Sequence, residues 1–65
     1  MKIETASVKM AMARKQLNQK MLADLMGVKP ATVSKYMTSA EAPTNAVGLM
    51  ADALGVDVQE ILKEE

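Results

Sequence analysis

The stretch from Asn18 to Pro30 leaves this chain little freedom. Asn18 carries a side-chain oxygen able to accept from the first N–H groups of a helix, and it stands just ahead of the apolar pattern Leu22, Leu25 and Met26. Gly27 follows Met26 directly and suits the left-handed conformation that ends a helix. Lys29 precedes Pro30, so its backbone is pushed to an extended conformation, while Pro30 fits the first position of a new helix. The spacing predicts two short helices, over about 19–26 and about 30–37, joined by a turn of about three residues centred on Gly27. Val33, Tyr36 and Met37 form the apolar side of the second.

The remaining segments follow the same helical period. A helix over about 7–16 shows Val8, Ala11 and Met12 on one face. Residues 38–43 read as a loop. Thr44 is placed to cap a fourth helix over about 44–54, buried through Val47, Met50, Ala51 and Leu54 and ended by Gly55. Asp57 and Glu60 have the spacing of a capping box for a short fifth helix carrying Val58, Ile61 and Leu62. No stretch of useful length alternates with period two, so no strand is expected. The expected fold is all-α: one compact five-helix domain spanning 1–65, with a helix-turn-helix at about 19–37. A fold of 65 residues buries about 60% of its unfolded surface, so its core must be fully used. Tyr36 is the sole aromatic, and the volume must come from Leu, Val, Ile, Ala and seven Met.

Composition excludes several kinds of chemistry. The absence of Cys rules out a disulfide and a thiolate metal site, and the absence of His removes the commonest general base. The carboxylates have structural readings: Asp57 and Glu60 as caps, Glu64 and Glu65 as a solvated end. Neither an enzyme, a cofactor, a metal nor a small-molecule ligand is expected. No apolar run approaches the roughly 20 residues that span a membrane, and no signal peptide is visible. A cytoplasmic protein without a membrane partner is the simplest expectation. The chain suits a whole protein or the N-terminal half of a longer one.

The charges are unevenly spread along the sequence. Residues 1–38 hold seven Lys or Arg against two carboxylates, and residues 39–65 hold one Lys against six. A chain of formal net charge zero is thus +5 in its first part and −5 in its second. That asymmetry points to a basic face on the first part and an acidic one turned away from it. Ala23 falls where the second and third helices should cross, and a larger side chain there would hold them apart. Val28, Val33 and Tyr36 then anchor the third helix from below, which leaves one of its sides exposed in the manner of a helix that enters a major groove.

These residues resemble the lambda-repressor/Cro family of helix-turn-helix domains. The likeness is carried by Leu17-Asn18-Gln19, Leu22-Ala23, Met26-Gly27-Val28, Thr32-Val33-Ser34, Pro43, Leu49, Ala51, Ala53-Leu54-Gly55-Val56 and Ile61-Leu62, over residues 8–62. It implies double-stranded operator DNA as partner, a homodimer on two half-sites, and a repressor or related regulator of phage or mobile-element type. It places Gln19 against the DNA backbone, and Lys29, Pro30, Ala31, Thr32, Ser34 and Lys35 on the turn and third helix that touch DNA. The loop around Ser39 and Ala40 matches a phosphate-approaching segment.

Read chemically, Lys35 suits a guanine edge or a phosphate, and Lys29 a phosphate. Thr32 suits a thymine methyl or a phosphate, and Pro30 and Ala31 only apolar contact. Three departures stand out. Met12 and Met37 replace an Arg–Glu pair and are expected to touch. The loop lacks the usual Gly and basic residue and carries Glu41. The exposed helix offers no Arg, Asn or Gln, so base readout should be modest and binding salt-dependent. Apolar surface on the last two helices is the expected dimer patch, with Leu62, Val58 and Met50 as candidates that read more readily as core. The alternative is a helix-turn-helix protein-interaction module that has lost DNA binding.

Overall fold

The computed structural model describes residues 1–63. Glu64 and Glu65, read above as a solvated end, lie outside the described residues. Five helices follow in order: α1 Thr5–Arg14, α2 Gln19–Met26, α3 Pro30–Ser39, α4 Thr44–Leu54 and α5 Val58–Ile61. The all-α expectation holds. α2 packs on α3 and α4, α4 on α5 and α1, and α1 on α5, so α3 leans chiefly on α2.

Three of the helix ends share one device. After α1, α2 and α4, a residue in the left-handed region closes the helix: Gln16 at φ 56°, Gly27 at 74° and Gly55 at 69°. In each case the next amide reaches back five residues. Leu17 N donates to Met12 O, Val28 N to Ala23 O and Val56 N to Ala51 O, at 2.9–3.0 Å. This is the Schellman closure, and its usual apolar contact is present, because Leu17, Val28 and Val56 are each half-buried against the core. Gln16 makes this turn without the conformational ease of glycine, which costs about 1 kcal/mol. Asn18 caps α2 as expected, its Oδ1 accepting from Met21 N at 2.8 Å.

The core runs through Ile3, Val8, Ala11, Met12, Leu22, Ala23, Met26, Val33, Val47, Met50, Ala51, Leu54 and Ile61, with Ala42 and Ala46. Several expectations are corrected. Leu25 is 59% exposed. Leu22, Ala23 and Met26 fix the buried direction of α2, and at ~100° per residue Leu25 points about 110° away from its middle. Met50 is fully buried, which leaves it no part in a dimer patch, Leu62 is half-buried against the core, and Val58 is 37% exposed. The capping box at Asp57 and Glu60 does not form: Asp57 makes no side-chain cap bond, and Glu60 N donates to the Asp57 carbonyl instead. Thr44 is the first residue of α4, not its cap; Pro43 holds that place. α1 begins at Thr5, two residues before the expected start, and α3 continues to Ser39, two beyond the expected end.

The largest surprise is at the beginning of the chain. No named strand exists among the described residues, yet residues 1–4 lie as the middle line of a small antiparallel arrangement. On one side Ile3 N donates to Ala40 O and Ala42 N to Met1 O. On the other, Glu4 N donates to Ile61 O and Lys63 N to Lys2 O. Ile3, pinned from both sides, is fully buried. Four extended residues thereby tie the end of α3 to the end of α5.

Candidate nucleic-acid interface

α3 is a ten-residue helix with a single fully buried side chain, Val33. Lys29 is its N-cap in extended backbone and Pro30 its first residue, as the X-Pro pair dictates. The carbonyl of Lys29 accepts from Thr32 N at 2.9 Å, which starts the helix. Lys29, Pro30, Ala31, Ser34 and Lys35 are exposed, while Thr32 is half-buried on the flank next to Tyr36. Gln19 is exposed at the first position of α2, whose opening turn carries no acidic residue. Asn18 satisfies only the Met21 amide there, leaving the earlier amides of the turn to an outside acceptor such as a phosphate oxygen. All seven residues proposed from sequence therefore lie on α2, α3 or the turn between them, and six are exposed.

Residues 8–61 match a family model described as helix-turn-helix. The chain belongs to that family. It is the lambda-repressor type expected from the motifs, a DNA-binding regulatory family and not an enzymatic one. No curated protein and no solved structure matches the chain. Among the described residues no helix is long and apolar enough to cross a membrane.

In this helix-turn-helix domain the electrostatics differ from the linear count. Arg14 and Lys15 belong to the basic part of the sequence but do not sit with the cations of α2 and α3. Arg14 lines a groove with Asp52, Asp57 and Glu60. The Lys15 ammonium lies only 2.9 Å from where a side-chain carbon on Gly55 would stand. That puts it at the C-terminal end of α4, where a cation is favoured by the partial negative charge of the helix. Around α2 and α3 the exposed cations are Lys20, Lys29 and Lys35.

The α3–α4 loop is also less hostile to phosphate than its own residues suggest. Glu41 pairs across the small ladder with Lys2, so the first extended segment brings a cation opposite the carboxylate. Ser39, exposed at the end of α3, turns its hydroxyl back onto the local backbone, donating to Lys35 O at 2.9 Å with Glu41 O at 3.4 Å as a second acceptor. Lys2 was invisible to motif reading because it is distant in sequence from everything it supports. Tyr36 was assigned to the core alone, yet it also lines a shallow groove with Lys35 and Glu41.

Proposed function

We propose that this domain is a transcriptional repressor of phage or mobile-element type that binds an operator as a homodimer, with α3 of each copy in the major groove. The observation that carries this reading is that one side of α3, through Pro30, Ala31, Ser34 and Lys35, is exposed while Val33 holds the helix down from beneath. Gln19, Lys29 and Lys35 contact backbone phosphates, and Pro30, Ala31, Thr32 and Ser34 meet the base edges and the groove wall. Repression follows from occluding polymerase. One module of this size makes a small interface, so two copies on two half-sites supply tight binding. Val58, exposed on α5 beside the acidic surface, supports a dimer patch on the side turned away from DNA.

Selection from random duplexes followed by anisotropy titration tests this. The expected result is a palindromic site. If Lys20, Lys29 and Lys35 each neutralise one phosphate in both copies, log K against log salt should fall with a slope of about −5. Lys35→Ala should flatten that slope and weaken binding about tenfold. The withdrawal of Arg14 and Lys15 from the DNA-facing side favours a second reading, a module that binds protein through the same face. Absence of any DNA binding at micromolar protein and about 50 mM salt would select that reading.

A further inference from the structure

α1 presents a side that nothing in the chain covers. Val8, Ala11 and Met12 fix its buried direction, and at ~100° per residue Met10 points about 150° away from the middle of it. Met10 is 63% exposed, more than any other large apolar side chain among the described residues.

A groove runs beside it between α1 and α5. Buried Ala11 and Ile61 lie at its bottom, and Met10, Arg14, Val56 and Glu60 stand around them. This stretch encloses about 200 Å³, less than the roughly 300–1,000 Å³ of small-molecule sites, so it suits an inserted side chain better than a ligand. Past Arg14, Val56 and Glu60 the groove continues along Asp52 and Asp57. No residue of α2 or α3 lines either stretch.

The two walls carry opposite charge. α1 has Lys9 and Arg14 and no carboxylate, whereas the facing wall has Asp52, Asp57 and Glu60. All five are exposed, and Arg14 forms no ion pair with the three carboxylates among the described residues. A surface with an apolar centre and walls of opposite sign is complementary to itself when turned about a two-fold axis.

We infer that this face pairs two copies of the chain. The two α1 helices lie side by side and antiparallel, each seated in the groove of the other copy. Met10 enters the second copy's apolar stretch, and Arg14 meets the second copy's Glu60, which stands with Arg14 in both stretches of the groove. Each contact occurs twice, as a two-fold axis requires. The pairing rests on the homodimer proposed above and places its contact on α1 instead of at Val58. It leaves α3 of both copies uncovered. One helix of ten residues, ~15 Å long, makes an interface at the small end of the range, so the pair is weak and is completed on the operator.

Sedimentation equilibrium of the wild type, Met10→Gln, Val58→Gln, Arg14→Glu and Glu60→Arg tests this, with circular dichroism to verify that each variant is folded. The wild type should dimerise with a dissociation constant on the order of 100 μM. Met10→Gln should weaken this about tenfold, and Val58→Gln should leave it unchanged. Arg14→Glu and Glu60→Arg should each associate poorly alone, and an equimolar mixture of the two should recover wild-type association. Mixing restores opposite charges only across an interface between copies, so a pair confined to one chain gives no such rescue. A wild type still monomeric at about 1 mM, a dimer indifferent to Met10→Gln, or a mixture no better than either variant overturns the inference. Any of these with a palindromic site still selected leaves the operator reading standing, whereas a dimer that behaves as expected but binds no duplex overturns that reading and leaves this face.

Discussion

α3 and α4 are almost the same length, ten and eleven residues, and the molecule uses them in opposite ways. α4 buries Ala46, Val47, Met50, Ala51 and Leu54, whereas α3 buries Val33 alone. α4 touches three other helices of the bundle and α3 mainly one. A helix of ten residues is not stable in water by itself, so α3 depends on fixtures outside its own apolar stripe. Those fixtures are Pro30 at its start, Val33 beneath it and the Ala40–Ile3 hydrogen bond at its end. The difference teaches where sequence is constrained. α4 must keep its side chains to keep the fold, while the outer face of α3 is, on the proposed reading, left to recognition.

The strongest challenge to this contrast is Leu54→Ala. It empties a fully buried site and should cost about 3 kcal/mol, a large share of what a domain of this size has. Ser34→Ala on the outer face of α3 should change stability by less than about 0.5 kcal/mol. Urea unfolding of both variants measures the gap, and comparable losses would abolish the distinction between scaffold and reading surface.

Ile3→Ala comes next, at about 2 kcal/mol. It also asks whether α3 is held from its far end. Amide exchange should speed up in the last turn of α3 and at Ala42, with α2 and the middle of α4 little affected. Uniform acceleration would mean that Ile3 contributes bulk to the core and nothing particular to α3.

The ease with which these regions can be read from sequence follows the same division. α2 and the end of α4 match their expected bounds because these ends are written locally, by Asn18 and Gly27 for one and by Gly55 for the other, whereas the cap of α4 is Pro43 and not Thr44. The end of α3 is not written that way. Thr38 and Ser39 are indifferent helix formers, and what stops the helix is Ala40, turned left-handed and bonded to a residue near the start of the chain. The first segment itself carries no readable pattern, since four residues are too few to show a period and its partners lie at 40–42 and 61–63. Leu25 misled for the opposite reason: it is apolar and near the right spacing, but it lies off the face that Leu22 and Met26 define. Charge suffered likewise, because counting along the chain placed Arg14 and Lys15 with the cations of α2 and α3, from which the end of α1 carries them away.

Asn18→Ala tests the locally written part. Removal of the 2.8 Å bond to Met21 N should cost about 1 kcal/mol, visible as a shift of several degrees in Tm. Because the same turn presents Gln19, DNA affinity should fall along with stability.

Gly48→Ala should have a smaller effect than Asn18→Ala, and of the opposite sign. Gly48 lies in the interior of α4, where glycine costs about 0.5–1 kcal/mol relative to alanine through the freedom it has in the unfolded chain. A glycine is required in such a place when a neighbour approaches too closely for a Cβ, but nothing lies within 4 Å of where that carbon would stand. Its backbone is ordinary helix, so no left-handed conformation demands it either. The substitution should therefore raise stability by about half a kcal/mol or more while leaving operator binding unchanged. A stabilised variant with weakened binding would show that α4 is more than scaffold, because the bare surface at Gly48 would then be kept open for DNA or for a second copy of the chain.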